Sequence, residues 1–90
     1  ERKLIAIKKA RFMKNFLGRE FEGVVSSVAK FGIFVLLREY DVDGLVKTDE
    51  LGKEKWVFDE NHLILVGART GKKFSIGDEV KVQVSMVNTE

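Results

Sequence analysis

From Arg19 to Val87 the chain runs in short stretches of alternating apolar and polar residues. Eight glycines and no proline stand among its 90 residues, so glycine alone punctuates them. Side chains of a strand point alternately to opposite faces, so this pattern demands half-buried strands. The expected strands are Phe21 to Phe31 (FEGVVSSVAKF, with Gly23 at a bend), Ile33 to Leu37, Gly44 to Thr48 and Glu79 to Val87 (EVKVQVSMV). His62 to Val66 and Lys72 to Ile76 form a predicted hairpin, closed by Gly67-Ala68-Arg69-Thr70-Gly71. Several short strands with glycine turns imply a small barrel or sandwich. Five strands in under 80 residues, with an insertion before the last long one, point to the oligonucleotide-binding barrel, whose ligand face is built from strands 2 and 3.

Residues 1–17 read differently. Leu4, Ile5, Phe12, Met13, Phe16 and Leu17 are apolar, with Ala6 and Ala10 between them and bases around the rest. That spacing predicts a helix with a broad apolar stripe, ended by Gly18. The stripe needs burial, so the helix is expected to dock rather than to extend a nucleic-acid path.

Ninety residues bury only about two-thirds of the surface that the unfolded chain exposes, which allows one core. No long uncharged run offers a membrane span. Lysines among the N-terminal aliphatics spoil a signal-peptide reading. Without cysteine there is no disulfide framework and no thiolate metal site, which fits a cytoplasmic protein. The net charge of +2 is uneven: residues 1–19 carry seven bases and one acid, the remainder nine bases and thirteen acids. Bulk charge therefore does not make the body a nucleic-acid binder, and any such site on it must be local.

One stretch offers such a site. In Val28 to Leu37 (VAKFGIFVLL) two phenylalanines stand three apart, and simple alternation would aim them at opposite faces. Gly32 adopts backbone geometries that other residues disfavour, so a bend there lets Phe31 and Phe34 share one surface while Ile33 and Val35 face the core. Exposed rings stack well on unpaired bases of any sequence. Lys30 beside the first ring and Lys47 on the neighbouring strand can neutralise phosphates. The competing reading puts one ring in the core and leaves both lysines solvated.

Phe-x-Gly-x-Val in the first strand, Phe-Gly-x-Phe-Val in the second, Asp-Gly-Leu-Val in the third and Gly-Asp-x-Val-x-Val-x-Val in the fourth resemble the S1-type RNA-binding domain. The insertion, with Phe58-Asp59, Leu65-x-Gly67, Gly71-x-x-Phe74 and Gly77-Asp78, is similar to the version at the C-terminal end of 3′-to-5′ exoribonucleases of the ribonuclease R type. The resemblance implies an all-β fold with an N-terminal helix. Its body is a five-stranded barrel carrying an inserted β-hairpin over 18–90. Residues 1–17 become the tail of an upstream catalytic domain. It implies sequence-tolerant binding of single-stranded RNA by Phe31, Phe34, Lys47, Lys30 and Asn88, the last at a turn position of the family. The module itself is expected to be a non-catalytic, cofactor-free monomer, with a divalent metal, Mg2+, in the parent's catalytic domain. Two departures stand out. Lys47 occupies a position that is histidine in many members, and the sequence stops where the family's fifth strand begins, which leaves the edge of the fourth strand open. A barrel that docks a protein or a ribosomal surface through the same aromatics is the alternative.

Three other patterns are set aside. Gly67 to Lys73 (GARTGKK) resembles a phosphate-binding loop but has three residues between its glycines and no Ser/Thr after the lysine. Asp41-x-Asp43 is followed by Leu45 and Val46 where a calcium loop needs a ligand and a glycine. His62 is the only histidine, with no nucleophile or second ligand, and is taken as a strand-entry residue.

Overall fold

Residues 3–8 and 15–88 are described in the computed structural model, with side chains for 3–7 and 15–87. Five strands close into a barrel: β1 (Lys3–Lys8), β2 (Glu20–Ala29), β3 (Gly32–Leu37), β4 (Val42–Lys47) and β8 (Glu79–Asn88). Their order around the barrel is β1-β4-β3-β2-β8. Alternation decides which side chains go in. In β3, Ile33, Val35 and Leu37 are fully buried, whereas Phe34 and Leu36 point outward and are half-buried. Val25, Val46, Val82 and Val84 complete the interior from β2, β4 and β8. Burying such a β-branched set satisfies strand propensity and the hydrophobic term together.

The N-terminal segment overturns the expected helix. Lys3–Lys8 is a strand, antiparallel to β4 (Ala6 opposite Leu45) and parallel to β8 (Lys3 opposite Val82). Ile5 and Ile7, two residues apart, are both fully buried in the barrel. The helical period in residues 1–17 is real, but the free edges of β4 and β8 offer backbone donors and acceptors that an isolated helix could not satisfy. Tertiary pairing wins over local pattern. Gly44 makes the room: a Cβ there would lie 2.6 Å from Ile5 Cδ1 and 2.8 Å from Ile7 Cδ1. A register shift falls between Ile5 and Ala6, where the Ser85 hydroxyl donates to the Ile5 carbonyl (3.2 Å). β1 thus fills the slot between β4 and β8, and the barrel closes.

The stripe that was expected to dock is divided. Leu4 (37% exposed) and Leu17 (52%) face outward, while Phe12 and Met13 lie outside the described residues. Phe16 packs edge-on to Phe21 (centroids 5.8 Å) and against Tyr40 (5.1 Å), and the Arg19 guanidinium sits 4.9 Å over its ring. Through this contact the aromatic cluster joins the core.

Between β4 and β8 the chain forms a one-turn helix, α1 (Thr48–Leu51), which buries Leu51, and then a three-stranded sheet. Its strands are β5 (Trp56–Asp59), β6 (Ile64–Gly67) and β7 (Lys73–Ser75). The insertion is therefore larger than the expected hairpin by one strand. Leu65, fully buried, pairs with Phe58 and Phe74, and all three share the face turned to the barrel.

Candidate nucleic-acid interface

The phenylalanine pair is built by a two-residue turn. β2 ends at Ala29 and β3 begins at Gly32, the two paired across the turn, so Lys30 and Phe31 form its tip. Phe31 escapes alternation because it lies in no strand, which differs from the expected long first strand. Its carbonyl accepts from the Thr48 N–H (3.1 Å), which ties the tip to the start of α1. Gly32 is required by a close approach: a Cβ there would press into the Val46 carbonyl oxygen and lie 3.0 Å from Lys47 Cα. A β-bulge between Val25 and Ser27 lies opposite Phe34 and Val35 in the middle of β3, and the Ser26 hydroxyl donates to the Phe34 carbonyl (3.2 Å).

The result is an edge-to-face pair, Phe31 and Phe34, with ring centroids 6.0 Å apart and planes at 89°. Phe31 is 55% exposed and Phe34 half-buried. That pairing holds both rings at the surface, while Ile33 and Val35 are buried as expected. Lys47 stands opposite Gly32, and Leu45 opposite Phe34, so Lys47, Leu45 and Phe34 share one outer face. Lys30 and Lys47 are exposed, and neither makes an ion pair among the described residues. Two rings and two free ammonium groups thus meet at one end of β3 and β4.

Asn88 is not brought to them. It ends β8 opposite Lys8, while Ile7 is opposite Gly44, so it stands toward the Gly44 end of β4 and beyond β1. Its side chain lies outside the described residues. Reasoning from sequence also missed β5, which passes close to the turn. Its Trp56-Val57-Phe58 run of strand-forming residues was a signal, masked by the acidic stretch before it.

The set-aside patterns have structural explanations. The turn at Gly67–Gly71 aims its N–H groups at an anion, and that anion is the protein's own Glu54. Arg69 and Thr70 donate their N–H groups to Oε1 (2.8 and 2.9 Å), and the Thr70 hydroxyl donates to Oε2 (2.7 Å). These hydrogen bonds, the hydroxyl's first, hold the Glu54 carboxyl below its ordinary range. His62 is exposed, with Nδ1 2.8 Å from Asp59 Oδ2, and it precedes β6 as a turn residue. That contact lowers the Asp59 pKa. Among the described residues no three potential metal ligands come together, and no helix is long and apolar enough to cross a membrane.

Residues 14–90 match the family model described as the S1 RNA binding domain. The chain belongs to that family. It is 50% identical over 82 residues to ribonuclease R of Aquifex aeolicus, an alignment covering 91% of this chain and 12% of that protein. Ribonuclease R of Escherichia coli is 39% identical over 82 residues, covering 91% of this chain and 10% of the relative. Among solved structures, Mycoplasma genitalium RNase R in complex with ribose methylated single-stranded RNA superposes with a TM-score of 0.80. It is 28% identical, and the match covers 87% of this chain and 12% of that one. The chain spans about a tenth of the length of these curated relatives.

Proposed function

We propose that this S1 domain holds single-stranded RNA without reading its sequence, stacking bases on Phe31 and Phe34 and neutralising phosphates with Lys30 and Lys47. The supporting observation is the edge-to-face ring pair at the surface beside two exposed lysines that make no ion pair among the described residues. Rings tolerate any base, and ammonium groups track a backbone without discriminating, so the chemistry suits a processive substrate. Asn88 would serve only a path that runs on across β4 and β1.

The similarity to ribonuclease R supports a wider reading, in which the module retains RNA for a 3′-to-5′ exoribonuclease. Hydrolytic carboxylates and their divalent metal would then belong to a catalytic domain of the same protein, with residues 1–17 leading in from it. Such a module would be monomeric by itself. Freedom from cysteine suits the cytoplasm.

Anisotropy with a labelled single-stranded oligoribonucleotide tests the binding reading. Phe34→Ala should lose about 1–3 kcal/mol of binding while remaining folded, the range for one stacked base. Undiminished affinity in that variant refutes the stacking role. The alternative of a protein- or ribosome-docking face draws support from Leu4 and Met86 (59% exposed), which extend an apolar outer surface over β1 and β8. A salt-insensitive protein complex with no RNA binding would select it.

A further inference from the structure

Beside the turn that carries Phe31, away from Phe34, lies a groove of about 730 Å3 between the end of β2 and strand β5. That size falls within the range of small-molecule sites and suits a nucleotide. One wall is Lys30 and Phe31, the other Lys55, Val57 and Phe58, with Glu60 at the rim. Val57 is half exposed although it is aliphatic and lies in a strand. Phe58 offers part of a ring and packs the rest on the core. Neither Lys30 nor Lys55 has an ion-pair partner among the described residues. Glu54, the acid next to Lys55, is turned away into the Gly67–Gly71 turn, where its carboxylate is occupied by Arg69 and Thr70.

Resting on the RNA-binding reading above, we infer that this groove is a further nucleotide subsite, in which the strand stacked on Phe34 passes over Phe31 onto the inserted sheet. Continuity argues for RNA as the occupant, since Phe31 and Lys30 belong to both places. Charge argues for it too. Lys30 and Lys55 line the same groove, so a phosphate held there would meet both cations, with the exposed Val57 and the accessible part of Phe58 left for a base or ribose. The inserted sheet thereby lengthens the path that the five-stranded barrel alone would provide.

The experiment compares two oligouridylates, of about four and about eight nucleotides, lengths within the span of one small barrel. Lys55 is exposed, so Lys55→Ala should fold normally. In that variant the long oligomer should bind about fivefold more weakly at about 0.1 M salt, and its log–log salt slope should fall by about 0.7, the share of one phosphate on a single strand. The short oligomer should bind as it does to the wild type. Val57→Ser should likewise weaken only the long one. Equal affinities of wild type and Lys55→Ala for both lengths, with Phe34→Ala weakening both, would overturn the subsite and leave the RNA-binding reading standing. A loss that is the same at both lengths would also overturn it. No binding of either oligomer by the wild type would remove the underlying reading, and this inference with it.

Discussion

Ile7→Ala measures how far the fold depends on its N-terminal strand. Ile7 is fully buried in the barrel, and cutting a buried isoleucine to alanine typically costs about 2–5 kcal/mol. A domain of this size has roughly 5–13 kcal/mol of stability in total, so the loss is a large share. Leu4→Ala on the same strand, at a side chain 37% exposed and facing outward, should cost well under about 1 kcal/mol. Gly44 supplies a second, coupled handle. A methyl group at 44 would lie 2.6 Å from both Ile5 Cδ1 and Ile5 Cγ1. Gly44→Ala should therefore cost about 1–3 kcal/mol through overpacking, and much of that penalty should vanish in an Ile5→Ala background, where both atoms are gone. Urea melts of the four variants and the double mutant give each value from the midpoint shift at constant slope. If Ile7→Ala is no worse than Leu4→Ala, or if Gly44→Ala costs the same in both backgrounds, β1 does not occupy the barrel and the closure described above is wrong.

Two further perturbations probe the site and the inserted sheet. Gly32→Ala drives a methyl group into backbone atoms of Val46 and Lys47 that cannot yield, so it should cost at least about 1–3 kcal/mol in a urea melt and weaken RNA binding by displacing Phe31; a neutral substitution would mean that the turn is not packed on β4. Because the Glu54 carboxyl titrates below its ordinary value of 4.5 in the folded protein, its hydrogen bonds stabilise the Gly67–Gly71 turn above that value and are lost as the pH falls through the depressed one. Protection of the Arg69 and Thr70 amides, taken relative to intrinsic exchange, should fall on acidification in the wild type and be pH-independent in Glu54→Gln; protection that persists in acid would show that the carboxylate does not hold the turn.

Much of the barrel was legible in the chain because β2, β3, β4 and β8 announce themselves locally. Val-x-Val alternation and glycine turns impose strand pairing whatever surrounds them. The pairing of Phe31 with Phe34 was legible too, although its cause was misread. A two-residue turn, not a bend inside a long strand, removes Phe31 from alternation, and the length of a turn depends on a register that only the partner strand fixes. Residues 3–8 were misread for a deeper reason. Leu4, Ile5, Ala6 and Ile7 are compatible with either period, and the deciding term is the unpaired edges of β4 and β8, more than 30 residues away in sequence. Lys55 and Val57 escaped notice on similar grounds. The hairpin of Trp56–Asp59 with Ile64–Gly67 is local, but nothing local says that it flanks the Lys30–Phe31 turn.

A residue-resolved NMR titration with a short single-stranded oligoribonucleotide tests the central claim most directly. The amides of residues 30–34 and 45–48 should shift together, while those around Phe16, Phe21 and Tyr40 stay unmoved. Shifts gathered at that aromatic cluster, or none at the Phe31 turn at saturating RNA, would contradict it.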